Sequence, residues 1–297
     1  MTYLQSNSGF RKIAVLVFLL FAPAILAGCQ KQYCDIPYTI EPPPRAQTPG
    51  APPLRSQAPG LPPPQAQTDS RPAPGPPKVI EKSMAIQGGP RDVVHEVGPL
   101  ETVWRIARMY DVSPESICAA NGIQRSDPLK IGQKLIVPNV KMLRHVINLY
   151  PNPQWRYIIL HHTATEMGNA RTINVSHGAR GFWNGLGYHF LIDNGTLGKG
   201  DGQIEMSPRW IRQQNGAHCK AGGMNDKAIG ISLVGNFSLE QPTPNQMQSL
   251  TYLVKILCSY YRIPPENIMG HREVDGAHTE CPGKYFPIEQ IIRSVRR

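Results

Sequence analysis

The stretch Tyr157-Ile158-Ile159-Leu160-His161-His162-Thr163-Ala164-Thr165 decides how this chain reads. An apolar run rich in strand formers gives way abruptly to two histidines and two hydroxyls. Such a run reads as a buried central strand, and the polar residues fall where it leaves the sheet. In α/β proteins that is where sites form, outside the carboxyl ends of the strands. A second polar cluster follows about 110 residues later, running from Gly270-His271-Arg272 to Cys281-Pro282-Gly283.

Two histidines and a cysteine suit zinc. His271 and Cys281 are ten residues apart, which is neither a zinc-finger spacing nor a helical HExxH pair, so the set reads as catalytic rather than structural. Three protein ligands leave the fourth tetrahedral position to water, whose pKa a metal can lower to about 7. Any one of these residues alone is more often a satisfied structural histidine or a small buried thiol. Their joint occurrence carries the reading.

Three more motifs stand between the two clusters: Gly187-Tyr188-His189-Phe190, Gly216-Ala217-His218 and the run Ala228-Ile229-Gly230 to Gly235. In this order the five segments resemble the zinc-dependent N-acetylmuramoyl-L-alanine amidases that share a fold with peptidoglycan recognition proteins. The resemblance covers residues 146–297. It implies an α/β fold with a mixed sheet flanked by helices, and hydrolysis of the amide joining N-acetylmuramic acid to L-alanine in peptidoglycan. It also implies Zn2+ held by His161, His271 and Cys281, Tyr188 as a hydrogen-bond donor to the reacting oxygen, and Thr279 as a second donor with His278 as its competitor. Ser232 stands where some cytoplasmic relatives carry a catalytic glutamate, so the chain resembles the tyrosine-using branch.

One zinc leaves His162, His189 and His218 over. His161 is preferred to His162 because the family's metal histidine precedes a Ser or Thr by two residues, and along a strand His162 points the opposite way. His189 and His218 read as supporting or structural residues. A non-catalytic peptidoglycan-binding protein on the same fold is the second function class. Cys281 separates the two, because non-enzymatic relatives commonly lose it. A glycan-cleaving lysozyme would need a carboxylate pair that is not recognisable here.

At the amino terminus Arg11-Lys12 precede an apolar run from Ile13 that closes in Leu26-Ala27-Gly28-Cys29. The run is short for a membrane span and ends in small residues, the pattern of an export signal that is removed. It resembles a lipobox, which implies a signal peptide over 1–28, diacylation of Cys29 and, with Gln30 rather than Asp next, an outer-membrane lipoprotein facing the periplasm. Between Pro37 and Lys78 lie fifteen of the thirty prolines, with almost no large apolar residue. Residues 29–90 are therefore expected to form a disordered tether, extended at roughly 3.1 Å per residue.

Residues 91–139 are expected to form a small βααβ module. Strands are read at 95–97 and 134–138, and amphipathic helices at 101–110 and 114–121. Ser113-Pro114-Glu115 combines a cap, an N1 proline and a first-turn acid. With Thr102-Val103-Trp104, Asn121-Gly122 and Leu129 to Pro138, the module resembles the peptidoglycan-binding LysM domain. Leu100 replaces the family's turn glycine, which predicts a reshaped loop. Trp104 is expected to pack between helix and sheet. The zinc set lies wholly in the C-terminal domain, so removal of residues 91–139 is expected to spare hydrolysis of a small soluble muropeptide.

In the C-terminal domain strands are read at 157–161, 187–193, 228–235 and 267–270, with helices at 170–183, 243–262 and 288–297. Thr243-Pro244-Asn245-Gln246 is a capping-box start, and Met247, Leu250, Leu253, Val254 and Leu257 form one apolar face. Cys34, Cys118, Cys219 and Cys258 are unclustered, which leaves their pairing open; Cys118 and Cys258 read as buried thiols. The formal charge of +10 is dispersed and accompanied by no nucleic-acid motif. Anionic wall or lipid surfaces are the expected partners, with the protein a monomer.

Overall fold

The computed structural model describes residues 73–85, 90–182 and 185–297. The segment expected to be an export signal, with Cys29, Cys34 and most of the proline-rich stretch, lies outside them. Strand β1, Lys78–Ala85, falls inside the segment assigned to the tether and corrects that assignment. The last proline before it is Pro77 and the next is Pro90, so every amide of β1 is free to join a ladder.

The N-terminal module follows as β2 (Arg91–Glu96), α1 (Val103–Tyr110), α2 (Pro114–Asn121) and β3 (Lys134–Val140), with β2 and β3 antiparallel. Both caps are made by hydroxyls. Thr102 accepts from the Arg105 amide, and Ser113 accepts from the Ser116 amide ahead of Pro114. Asn121 exchanges two hydrogen bonds with the backbone of Ile136, at 2.7 and 2.8 Å, tying the end of α2 to β3. Ile106, Ile117, Leu135 and Val137, all closed to water, form the small core.

Strand β4, Met142–Leu149, carries the chain into the larger domain and pairs antiparallel with β1 over eight residues, from Lys78↔Leu149 to Ala85↔Met142. Ile80 of this ribbon packs against the large core beneath it.

The C-terminal domain runs β5 (Tyr157–His162), α3 (Ala170–Ala179), β6 (Phe190–Asn194), β7 (Asp201–Met206), α4 (Pro208–Ile211), α5 (Met224–Lys227), β8 (Ala228–Leu233), α6 (Pro244–Tyr261), β9 (Ile268–Gly270) and α7 (Ile288–Arg296). The sheet order is β7-β6-β8-β5-β9, with β7 antiparallel to β6 and the other neighbours parallel. This is the mixed sheet flanked by helices that the sequence predicts. Ile158 and Leu160 face the large core while Ile159 faces Cys219 and Met224 on the other side. A strand buried on both faces reads as an unbroken apolar run.

Helix α6 supplies Leu250, Leu253, Val254 and Leu257 to the core and begins with the expected capping box. Gln246 also sends its buried amide to the carbonyls of Ile192 and Val234, locking the helix start to the sheet. Two boundaries differ from expectation. Helix α3 stops at Ala179, before Gly181 at a φ of 85°. Strand β6 starts only at Phe190, because the Gly187 amide is held by His177 and the Gly187 carbonyl by the Ala217 amide.

The two domains meet through buried charge. Lys199, between β6 and β7, lies 2.8 Å from Glu205 and 3.6 Å from Glu101. Glu101 also accepts from the Gly98 amide at 2.7 Å and sits 2.7 Å from His95, whose other ring nitrogen meets Tyr110. Burial disfavours the Lys199 charge, but Glu101 and Glu205 outweigh it and hold the ammonium well above its usual range. Arg171 at the start of α3 pairs with Glu96 of the module at 3.0 Å.

Candidate active site

Register places the first two site residues. Strands β5 and β9 are parallel with Leu160 opposite Gly270, so His161 and His271 emerge side by side at their carboxyl ends. Their ring centroids are 4.8 Å apart. Cys281 is brought back to them by the loop that follows. The Arg272 amide donates to the Cys281 carbonyl at 2.8 Å, the Arg272 side chain donates to the Gly283 carbonyl, and the Cys281 amide donates to Thr279 Oγ1. Gly270 permits this closure, since a Cβ there would lie 2.8 Å from Pro282 and 2.6 Å from Ile288.

The three side chains expected as ligands are therefore together, each with one donor atom within 4.8 Å of the others. His161 Nδ1 lies 3.5 Å from Cys281 Sγ. Zinc bonds of about 2.0 Å to nitrogen and about 2.3 Å to sulfur give a tetrahedral edge of roughly 3.5 Å. The donor set, two imidazoles and a thiol, and this edge both fit zinc. Burial pushes the Cys281 thiol up to about 11, against the opposing effects of the His162 backbone and Arg272. Burial likewise holds His161 far below the usual histidine range and His271 below it.

Tyr188 stands on the same side, its ring 5.1 Å from that of His161. Burial, then the neighbouring Cys281, push its hydroxyl up to about 12, so it remains a proton donor across the physiological range. It borders a cleft of about 170 Å³ lined by Thr163, Thr165, Thr172, Ser176 and Arg180. Thr279 is half-buried beside Cys281, while His278 is exposed.

The spare histidines have separate partners. His162 Nδ1 accepts from the Phe237 amide at 3.1 Å, on the side away from the ligand set. His189 accepts from the Gly230 amide and faces the Gln214 carbonyl. His218 touches His161 directly. His177 escapes sequence reasoning: it accepts from the Gly187 amide at 3.0 Å and its ring lies 5.3 Å from Tyr188. The signal available was Asn174 and His177 three apart on α3, both of which bond the loop before Tyr188.

The family model described as N-acetylmuramoyl-L-alanine amidase matches residues 151–284, and that of the LysM domain matches residues 95–138. Peptidoglycan-recognition protein SC1a/b of Drosophila simulans is 30% identical over 139 residues, covering 44% of this chain and 69% of that protein. The chain belongs to the peptidoglycan-recognition protein family. Peptidoglycan-recognition protein SC2 of the same fly is 32% identical over 136 residues, 43% of this chain and 67% of that one. Among solved structures, the N-acetylmuramoyl-L-alanine amidase LysC from Clostridium intestinale URNW is 35% identical, covers 49% of this chain and 89% of its own, and gives a TM-score of 0.41.

In the LysM domain Leu100 takes a φ of 61°, a conformation that glycine favours and that strains a leucine. One expectation is corrected. Trp104 does not pack between helix and sheet. It is 49% exposed on the outer face of α1, with the Arg108 guanidinium 5.1 Å from its ring centroid. The four described cysteines, Cys118, Cys219, Cys258 and Cys281, are free thiols; Cys118 is half-buried, not buried.

Proposed function

We propose that this chain is a zinc-dependent N-acetylmuramoyl-L-alanine amidase of the cell envelope, exported and lipid-anchored at Cys29, with its LysM domain binding peptidoglycan. The observation that carries the catalytic reading is the convergence of His161, His271 and Cys281 at the carboxyl ends of β5 and β9 with Tyr188 beside them.

His161 and His271 would hold the ion through imidazole nitrogens and Cys281 through its sulfur. Bound there, zinc supplies Lewis acidity that polarises a carbonyl and acidifies water. Tyr188 donates a hydrogen bond to the oxygen on which negative charge develops, and burial keeps its proton in place. Thr279 uses its oxygen to accept from the Cys281 amide, which leaves its O–H to donate toward the same oxygen. The hydroxyl-lined cleft beside Tyr188 offers hydrogen-bonding groups to a polar substrate.

The second reading, a peptidoglycan-binding protein without catalysis, is suggested by the names of the insect relatives. The retained Cys281 and Tyr188 favour the enzyme. The deciding experiment uses protein lacking residues 1–28 on purified sacculi, with mass spectrometry of the products and metal analysis of the protein. Stem peptides with a free L-alanine amine are expected, together with one zinc per chain, and Cys281→Ala should lose zinc and turnover together. A parent without stoichiometric zinc, or a Cys281→Ala variant of unchanged turnover, defeats the proposal. For anchoring, Cys29→Ser is expected to release the protein from membranes, since the two acyl chains on Cys29 are what would hold it there.

A further inference from the structure

The hydrogen bonds around His161 determine which of its nitrogens is free. The Ala228 carbonyl can only accept, so His218 Nε2, 3.2 Å away, carries a hydrogen and donates it. A neutral imidazole has one donor and one acceptor nitrogen, and His218 spends its donor on that carbonyl. His218 Nδ1 is then bare and accepts from His161 Nε2 at 3.1 Å. What remains is His161 Nδ1 with its lone pair, and that is the nitrogen that faces Cys281 Sγ.

The surroundings are built to hold the second ring in place. A Cβ at Gly216 would come within 2.3 Å of His218 Cδ2, and one at Gly230 within 2.4 Å of the same atom. Two glycines thus clear the space that the imidazole fills. The amides of His218 and Cys219 both donate to Asn225 Oδ1 at 2.8 Å, which fixes the backbone from which the ring projects.

We propose that His218 is a positioning residue: it sets His161 in the Nε2–H tautomer and orients its ring, so that Nδ1 is presented to the metal. The assignment rests on the metal-centre reading given under Proposed function only for its purpose, since the tautomer itself exists without metal. An imidazole that donates its remote N–H to a fixed acceptor is both oriented and made more basic at the ligating nitrogen.

The test is long-range nitrogen-15 NMR of the imidazoles in metal-free protein, combined with zinc affinity measured by chelator competition. In the parent, His161 is expected to show a protonated Nε2 and a bare Nδ1 as a single tautomer. His218→Ala should give averaged shifts for His161 and weaken zinc binding by about 10- to 100-fold. His218→Asn puts an acceptor oxygen where Nδ1 stood and should restore the single tautomer and most of the affinity. A protonated Nδ1 in the parent overturns the proposal, and that reading needs no variant to fold. So does a His218→Ala protein with unchanged shifts and affinity. A parent that shows the expected tautomer but binds no zinc would sink the metal centre and leave the hydrogen-bond relay standing.

Discussion

Lys199 Nζ lies 3.6 Å from Glu101 Oε2 across the boundary between the amidase and LysM domains, and both side chains are almost closed to water. A buried pair of this kind is costly to break, because the surviving charge keeps its desolvation penalty without its partner. Lys199→Met should therefore destabilise the protein by about 3–5 kcal/mol. Urea unfolding measures it, and a loss under about 1 kcal/mol would mean the pair behaves as a solvated surface contact.

The same cluster predicts a pH signature at Asp193. Its carboxylate is fully buried, and neither oxygen has a hydrogen-bond donor among the described residues. Burial, then the charge of Glu205, push this carboxyl well above its usual range, against the opposing pull of Lys199. A carboxyl raised on folding penalises the folded state as pH climbs past the unfolded value of about 3.9. Asp193→Asn should match the parent near pH 3 and become progressively more stable than it at higher pH. Parallel stability profiles from pH 3 to 8 would rule this out. Glu101 works in the opposite sense. Burial alone would raise it, but Lys199 and His95 hold it far below the carboxylate range, so its contribution is full above the unfolded value of about 4.3 and fades progressively as pH falls below it.

The buried pairs that cross the domain boundary predict that the two domains depend on each other for stability, against the expectation of an amidase domain indifferent to residues 91–139. Deleting residues 91–139 removes Glu101, Glu96, His95 and Tyr110 together, and leaves Lys199 and Arg171 without those partners. The deletion should lower the thermal midpoint of the amidase domain by at least several degrees, and with it the yield of enzyme active on a soluble muropeptide. An unchanged midpoint and full activity on the soluble substrate would restore the view of an independent binding module.

Tyr188→Phe should retain zinc and fold while slowing turnover by about ten- to a thousandfold, the range for losing one oxyanion donor. Turnover equal to the parent's would assign the tyrosine to packing against His161 and His177.

What the sequence made legible was local and periodic. The strand ending at His161, the capping box of α6 and the hydroxyl cap of α2 are each written in a few contiguous residues. The candidate ligand set was read through motif resemblance, since nothing local says that a histidine and a cysteine ten residues apart meet; in the fold Arg272 ties their loop back. Strand β7 escaped because Gln203 and Glu205 look solvent-facing, yet they are buried against the ion cluster. Strand β1 was hidden by its proline-rich neighbourhood. Trp104 was assigned to the core on hydrophobicity alone, which does not reveal which face of a short helix the module covers.

The pairing of β1 with β4 has a mechanical consequence for a chain held at its amino terminus. Lys78 and Leu149 are partners at one end of the ribbon, so a pull between the residues that precede Lys78 and the amidase body meets the ladder at that end. Loaded this way the ribbon peels, one hydrogen-bonded pair after another, rather than resisting as a whole. A pull between the residues that precede Lys78 and the LysM domain instead runs straight along β1 to Ala85 and onward through covalent bonds. The ribbon is thus compliant when the enzyme is gripped and taut when the binding module is.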